Sequence, residues 1–239
     1  MEKASFLGHL QELRSRILKS LAVILFCFLG LIYFSNDIYL ILSEPLLGFL
    51  PADSSMIATE VASPFLTPLK LTFYVSLLVS MPFLLNQLWQ FIAPGMYENE
   101  KSLSFLLMLS SLMLFYLGVL FTYFLVLPLV FSFFTAAAPD GILIMTDISR
   151  YLDFVLGMMF AFSIAFEIPV FIFLLIWSGV STSESLRNKR PYVVIGCFTI
   201  GMLVTPPDVI SQSLLAIPAW ILFELGIIMA NSFVRKEEE

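Results

Sequence analysis

Apolar stretches long enough to cross a lipid bilayer recur along almost the whole chain, and this recurrence limits the fold more than any other feature of the sequence. Lipid offers no hydrogen-bond partners, so a segment that crosses it must satisfy its own backbone, as an α-helix does. With 59% hydrophobic and 13% charged residues and a mean hydropathy of +0.96, the chain has too little charge to cover a water-facing surface. Nothing sizeable lies outside the apolar stretches, so residues 1–239 read as a single membrane domain, all-α and polytopic.

The apolar runs predict six transmembrane helices, near residues 17–34, 68–92, 102–134, 151–178, 191–206 and 211–233. The first run, Ile17–Phe34, follows a basic start but ends in Ser35-Asn36-Asp37 without a small-residue cleavage site, so it reads as a retained helix. The fifth falls short: at roughly 1.5 Å per residue it reaches about 24 Å, against a hydrocarbon core of about 30 Å. A tight turn ties the sixth to the same depth, so the fifth and sixth are expected as a short pair that thins the bilayer locally or tilts. Within residues 1–16, Phe6, Leu10 and Leu13 recur at helical spacing up to Ile17, which suits an amphipathic helix on the cytoplasmic membrane face. The segment 36–67, interrupted by Pro45, Pro51 and Pro64, reads as an ordered extracytoplasmic cap.

Lysine and arginine set the orientation. Lys3, Arg14, Arg16, Lys19, Lys101, Arg187, Lys189, Arg190, Arg235 and Lys236 fall on one side of the predicted spans, and only Lys70 and Arg150 on the other. This bias places both termini in the cytoplasm. Trp89 and Trp177 sit where interface anchors belong, whereas Trp220 reads as packing. Cys27 and Cys197 lie in apolar runs and read as packing thiols.

Few residues could carry chemistry. Glu167 stands in Phe162-Ser163-Ile164-Ala165-Phe166-Glu167-Ile168-Pro169, where a carboxyl costs about 2–3 kcal/mol even on a lenient insertion scale. It must face protein or water, as a packing hydrogen bond or as a functional polar group, and Pro169 frees a carbonyl beside it. Asp208, with Gln212, follows Thr205-Pro206-Pro207, where it caps the last helix or contributes to a polar site. Glu224 poses the same question as Glu167 nearer the interface. On the cytoplasmic side, Glu12, Glu98 and Glu100 are ordinary solvated charges or a docking point for guanidinium groups, whose planar fork a carboxylate meets bidentately. No Gly leads into a Lys-Ser or Lys-Thr pair, no His/Cys cluster has metal spacing, and His9 is the sole histidine, so neither an enzyme nor a cofactor is expected. Two classes stay open on the residues alone: a binding and assembly module, and a proton-coupled solute transporter in which Glu167 carries the proton.

Five spaced motifs resemble the TatC family, the receptor subunits of the twin-arginine protein translocase. His9-Leu10-Gln11-Glu12-Leu13-Arg14-Ser15-Arg16 is similar to the family's HLxELRxR, and Ala62-Ser63-Pro64-Phe65-Leu66-Thr67-Pro68-Leu69-Lys70 to its outer-cap signature. Phe91-Ile92-Ala93-Pro94-Gly95-Met96-Tyr97-Glu98-Asn99-Glu100 resembles FxxPGLxxxE, with Met96 in place of Leu. Phe166-Glu167-Ile168-Pro169 resembles FExP, and the run from Thr205 to Gln212, with Leu215-Ala216-Ile217-Pro218, resembles TPPDxxSQ and LAxP. Ser163 departs from a common Gly, and Phe223 from a common Tyr.

The resemblance implies a multi-pass protein of the cytoplasmic (inner) membrane that binds twin-arginine signal peptides of folded cargo. It implies assembly, in multiple copies, with single-span TatA-like and TatB-like partners, driven by the proton-motive force, without nucleic acid. Carried over by motif, Glu12 and Glu100 are the expected contacts for the paired arginines, with Arg14, Phe91, Pro94 and Gly95 shaping that surface. Glu167, Asp208 and Gln212 are the expected intramembrane polar or partner-contact positions. The orientation has a direct check in a background with Cys27 and Cys197 replaced by Ala. An Asn188→Cys thiol should resist a membrane-impermeant maleimide in intact cells and Glu60→Cys should react, whereas the opposite pattern would invert the topology.

Overall fold

A computed structural model describes residues 2–48, 56–92, 101–137, 145–204 and 208–237. The chain is almost wholly helical: α1 Glu2–Leu31, α2 Ser35–Leu47, α3 Ser63–Ile92, α4 Lys101–Phe121, α5 Leu127–Ala136, α6 Ile148–Ala165, α7 Ile168–Trp177, α8 Ser183–Asn188, α9 Arg190–Val204 and α10 Val209–Glu237. Five stretches are long and apolar enough to cross a membrane: Leu10–Glu44, Ser63–Phe91, Phe105–Ala136, Ile148–Trp177 and Val209–Ser232. A shorter apolar helix occupies Arg190–Leu203. Large apolar side chains point outward all along these helices, among them Phe26, Phe124, Phe171 and Leu203. Water would not tolerate so continuous an apolar surface, and lipid does. The molecule is a multi-pass helical membrane protein.

The contacts group into two units, residues 1–43 with 58–112, and 44–57 with 113–239. In the first, α1 packs against α3, with Phe28 edge-on to Phe73 at 6.1 Å between ring centroids. α3 carries Pro68 and Pro82 inside the helix, and two of its buried hydroxyls bond back along its own backbone: Thr72 Oγ1 donates to the Pro68 carbonyl at 2.8 Å and Ser80 Oγ to that of Ser76 at 2.7 Å. Such local bonds let small polar residues sit inside a membrane helix without a partner on another element.

The second unit is built on α10, which packs along α7 and α9. Val126, Val130, Met158, Phe162, Phe166, Leu215 and Leu222 form one buried core, and Phe121 tilts over Phe162 and Phe166 at 5.5 and 5.4 Å. Between α4 and α5, Thr122–Val126 winds as a π turn, with Thr122 Oγ1 donating to the Gly118 carbonyl at 2.8 Å. In the segment read as a cap, Ile57 N–H donates to the Thr146 carbonyl at 3.0 Å and Ile148 N–H to the Ile57 carbonyl at 2.9 Å. Asp147 caps α6 by accepting from the N–H groups of Ser149 and Arg150.

Four expectations are corrected. The amphipathic stretch 1–16 is not a separate surface helix: α1 runs unbroken through Ile17, because no Gly or Pro interrupts residues 9–29. The first part of the segment 36–67 is helical, since α2 extends from Ser35 to Leu47 with no proline before Pro45. Of the late pair only the fifth is short. α9 has 15 residues, about 22 Å at roughly 1.5 Å each, whereas α10 has 29, about 43 Å, and tolerates Pro218 within it. The tryptophan readings also change: Trp89, read as an anchor, is buried at 5% exposure, and Trp220, read as packing, lies 39% exposed.

Two glycines set the closest approaches in the second unit. A Cβ on Gly118 would stand 2.8 Å from the Phe162 carbonyl oxygen and 2.9 Å from Ser163 Cα, and one on Gly226 would stand 2.9 Å from Pro169 Cα. Gly226→Ala should therefore destabilise the protein by about 1–3 kcal/mol despite the better helix propensity of Ala. Gly196→Ala, which meets nothing within 4 Å, should be neutral or stabilising. Thermal unfolding in detergent reads both, and equal melting temperatures for the two variants would refute the close crossing.

Candidate functional site

Glu12 lies on α1, half-buried, where it meets Arg16 one turn on. Arg16 Nε and Nη2 both donate to Glu12 Oε1, at 3.0 and 2.6 Å. Nη1 donates to the side-chain oxygens of Gln87 at 3.1 Å and Gln90 at 3.0 Å, both on α3. Nη2 also reaches the Gln90 carbonyl at 3.3 Å. Gln90 Nε2 donates to Asn86 Oδ1 at 3.1 Å, which turns the Gln90 amide oxygen toward the arginine. A guanidinium has five N–H donors, and five bonds leave this one. The last turn of α3 exposes carbonyls that the helix itself cannot satisfy, so a cation is electrostatically suited to that end.

Below this cluster, Leu13, Ile17 and Leu21 of α1 face Leu84, Leu88 and Phe91 of α3 across a cleft of about 270 Å³. The structure therefore brings Glu12 and Phe91 to the same end of the α1–α3 pair, with an apolar cleft beside a charged rim. Arg14 is exposed. Pro94, Gly95 and Glu100, like Glu98, lie outside the described residues.

In the second unit, Glu167 stands at the break between α6 and α7. Glu167 N–H donates to the Ile164 carbonyl at 3.0 Å, and the Glu167 carbonyl accepts from Phe171 N–H at 3.0 Å. Pro169 has no N–H to give to the carbonyl of Ala165, which leaves that carbonyl without its helical donor at the break. Gly118 lets the backbone of Phe162 and Ser163 approach closely, and Gly226 does the same for Pro169, so the break is gripped from both sides. Glu167 is half-buried, with Oε1 withdrawn from the surface.

Asp208 and Gln212 belong elsewhere. Asp208 Oδ1 accepts from Ser211 N–H at 2.7 Å, and its carbonyl accepts from Gln212 N–H at 3.2 Å, so Asp208 caps α10. Gln212 backbone atoms pack over Gly201 on α9. The break region shares a packed cluster with α10 at Ala216 and Ala219, through Ala165 and Ile168. That level is roughly 12–16 Å further along α10 than Asp208, at about 1.5 Å per residue.

Glu224 is paired: Arg190 Nε donates to its Oε1 and Nη2 to its Oε2, both at 2.6 Å. Ser183 Oγ donates to Asn231 Oδ1, a second tie onto α10. Sequence reasoning did not single out Arg16, Gln87 and Gln90 as a set. The Glu-x-x-x-Arg spacing was a signal for the first contact, since residues four apart share a helix face. Nothing in the sequence marked the two glutamines.

Several membrane-length apolar helices, one of them broken at a carboxylate, define the class of a multi-pass integral membrane protein with a polar position within a spanning stretch. The chain belongs to the TatC family: residues 8–218 match the model described as "Sec-independent protein translocase protein (TatC)". It is 54% identical over 231 residues to the TatC protein of Azotobacter chroococcum mcd 1, covering 97% of this chain and 91% of the relative. It is 50% identical over 238 residues to that of Haemophilus influenzae, covering 100% and 93%. A solved structure described as the twin arginine translocase receptor TatC superposes with a TM-score of 0.84 at 35% identity, covering 93% of this chain and 98% of that one.

The capping geometry of Asp208 separates charge from hydrogen bonding. Asp208→Asn keeps the acceptor and should leave the melting temperature near wild type, while Asp208→Ala should lose about 1 kcal/mol. An Asn variant as unstable as the Ala variant would show that the charge, and not the cap, holds the end of α10.

Proposed function

We propose that this chain is the receptor subunit of a twin-arginine translocase and binds the paired arginines of a signal peptide where α1 and α3 meet. The observation that carries the reading is that Glu12 already accepts two N–H bonds from a guanidinium there. The surroundings suit a peptide: the charged rim meets the arginines, and the apolar cleft ending at Phe91 receives side chains next to them. Glu100 supplies the second carboxylate, and Arg14, Pro94 and Gly95 shape the surface around it. Two carboxylates on separate segments would distinguish two forked guanidiniums from two ammonium groups.

The positive-inside bias supports a site on the cytoplasmic face of the inner membrane, with both termini on that side. In this reading Glu167, Asp208 and Gln212 serve contacts within the bilayer to TatA-like and TatB-like single-span partners. Several copies assemble for export of folded cargo on the proton-motive force.

Site-specific photocrosslinking tests the reading. Probes at Gln11 and Asn99, in membranes holding the full chain, should capture an Arg-Arg signal peptide and fail with its Lys-Lys version. Capture should fall at least about tenfold in a Glu12→Gln, Glu100→Gln double variant, the scale of one lost charge-assisted contact. Equal capture of both peptides by wild type and double variant would remove the receptor assignment. Solute uptake by the chain alone, abolished by Glu167→Gln, would replace it with a proton-coupled transporter.

A further inference from the structure

The connection between α7 and α9 carries two cations that the fold does not use. We propose that Arg187 and Lys189 bind the phosphate of an anionic phospholipid at the membrane face where α7 ends and α9 begins. The inference stands apart from the receptor reading and needs only that the helices lie in a bilayer.

The depth of the connection follows from its flanks. The spanning stretch that holds α6 and α7 ends at Trp177, and the next apolar helix starts at Arg190. Residues 178–189 therefore lie between two membrane segments, at the level of the headgroups. Trp177 and Tyr192 bracket them, and each joins an apolar ring to a polar tip, the combination that suits this level. Packing then holds the connection against the bundle. α8 inserts Leu186 among Ile172, Phe223 and Ile227, and Ser183 Oγ donates to Asn231 Oδ1 on α10. At the start of α8, Thr182 Oγ1 accepts from Ser185 N–H at 3.2 Å. Arg187 and Lys189 follow Leu186 closely and are exposed, so they stand on a fixed base and little backbone freedom is lost on binding.

Pairing divides the three cations at this end of α9. Arg190 gives its fork to Glu224. Arg187 and Lys189 have no ion pair and no side-chain hydrogen bond among the described residues. Glu184 sits in the first turn of α8, at the other end from these cations, and pairs with neither. Phosphate matches what is left: the guanidinium offers it a planar pair of N–H donors, and the ammonium adds a second charge. α9 supplies a reason for lipid in particular. Its 15 residues reach about 22 Å against a hydrocarbon core of about 30 Å, and residues flanking so short a helix extend toward the headgroups.

The test places the full chain in nanodiscs of phosphatidylglycerol and phosphatidylcholine in equal amounts and reads the retained lipids by native mass spectrometry. Wild type should retain phosphatidylglycerol in preference. A double variant, Arg187→Gln with Lys189→Gln, should lower the association constant for that lipid at least about fivefold, the contribution of one basic residue near an anionic surface. Its melting temperature should match wild type, since both side chains are exposed. Arg187→Lys with Lys189→Arg keeps both charges and should keep the lipid. Arg150→Gln, at the far end of the same spanning stretch, should leave retention unchanged. Equal retention by wild type and the double variant, or an equal loss in Arg150→Gln, overturns the site. Binding of inorganic phosphate to wild type in uncharged detergent, with no preference between the two lipids, overturns the lipid and assigns the cations to a soluble anion.

Discussion

Lipid cannot hydrogen-bond, and the helical architecture of this chain answers to that constraint. Backbone groups must find partners within the chain, which leaves helices as the economical solution and makes each departure from a helix a place that packing must protect. The break at Phe166–Glu167 shows the rule at work. Pro169 removes a donor, and the opened backbone is closed in by α4 through Gly118 and by α10 through Gly226, at distances where no side chain fits. The buried hydroxyls of Thr72 and Ser80 on α3 obey the same rule by bonding to carbonyls of their own helix.

Charges follow a related logic at the helix ends. Arg190 joins two helices through a carboxylate, whereas Arg16 meets a carboxylate on its own helix and reaches the second helix through Gln87 and Gln90. Arg190 makes a fork with both oxygens of Glu224, a closed arrangement that fixes α9 to α10. Arg16 spends three of its five bonds on amide and carbonyl oxygens and touches a single oxygen of Glu12. Both arginines thus act as clasps between helices.

Much of this was legible in the sequence because hydropathy and proline act locally. The long apolar runs located most of the helices, although the first, read as 17–34, belongs to an apolar stretch from Leu10 to Glu44, and Pro169 marked the broken helix beside Glu167. Asp208 as a cap was one of two readings offered by its place after two prolines and before an apolar helix, and the bond from Ser211 N–H realises it. The rest depends on neighbours distant in sequence. α10 was read as short because its turn from α9 is tight, yet a turn sets where a helix begins and not where it ends. Trp89 and Trp220 were assigned from position along a helix, while their burial depends on which face a neighbour covers. Gln87 and Gln90 carry no signal of their own, being neutral and unremarkable until α1 brings Arg16 to them, and Gly118 and Gly226 are ordinary helix glycines until a second backbone crosses.

The most direct measurement is a cryo-electron microscopy structure of the full chain in nanodiscs with a bound twin-arginine signal peptide. A peptide guanidinium should lie within about 3 Å of the Glu12 carboxylate. Peptide density elsewhere, with no guanidinium at Glu12, would contradict the receptor site.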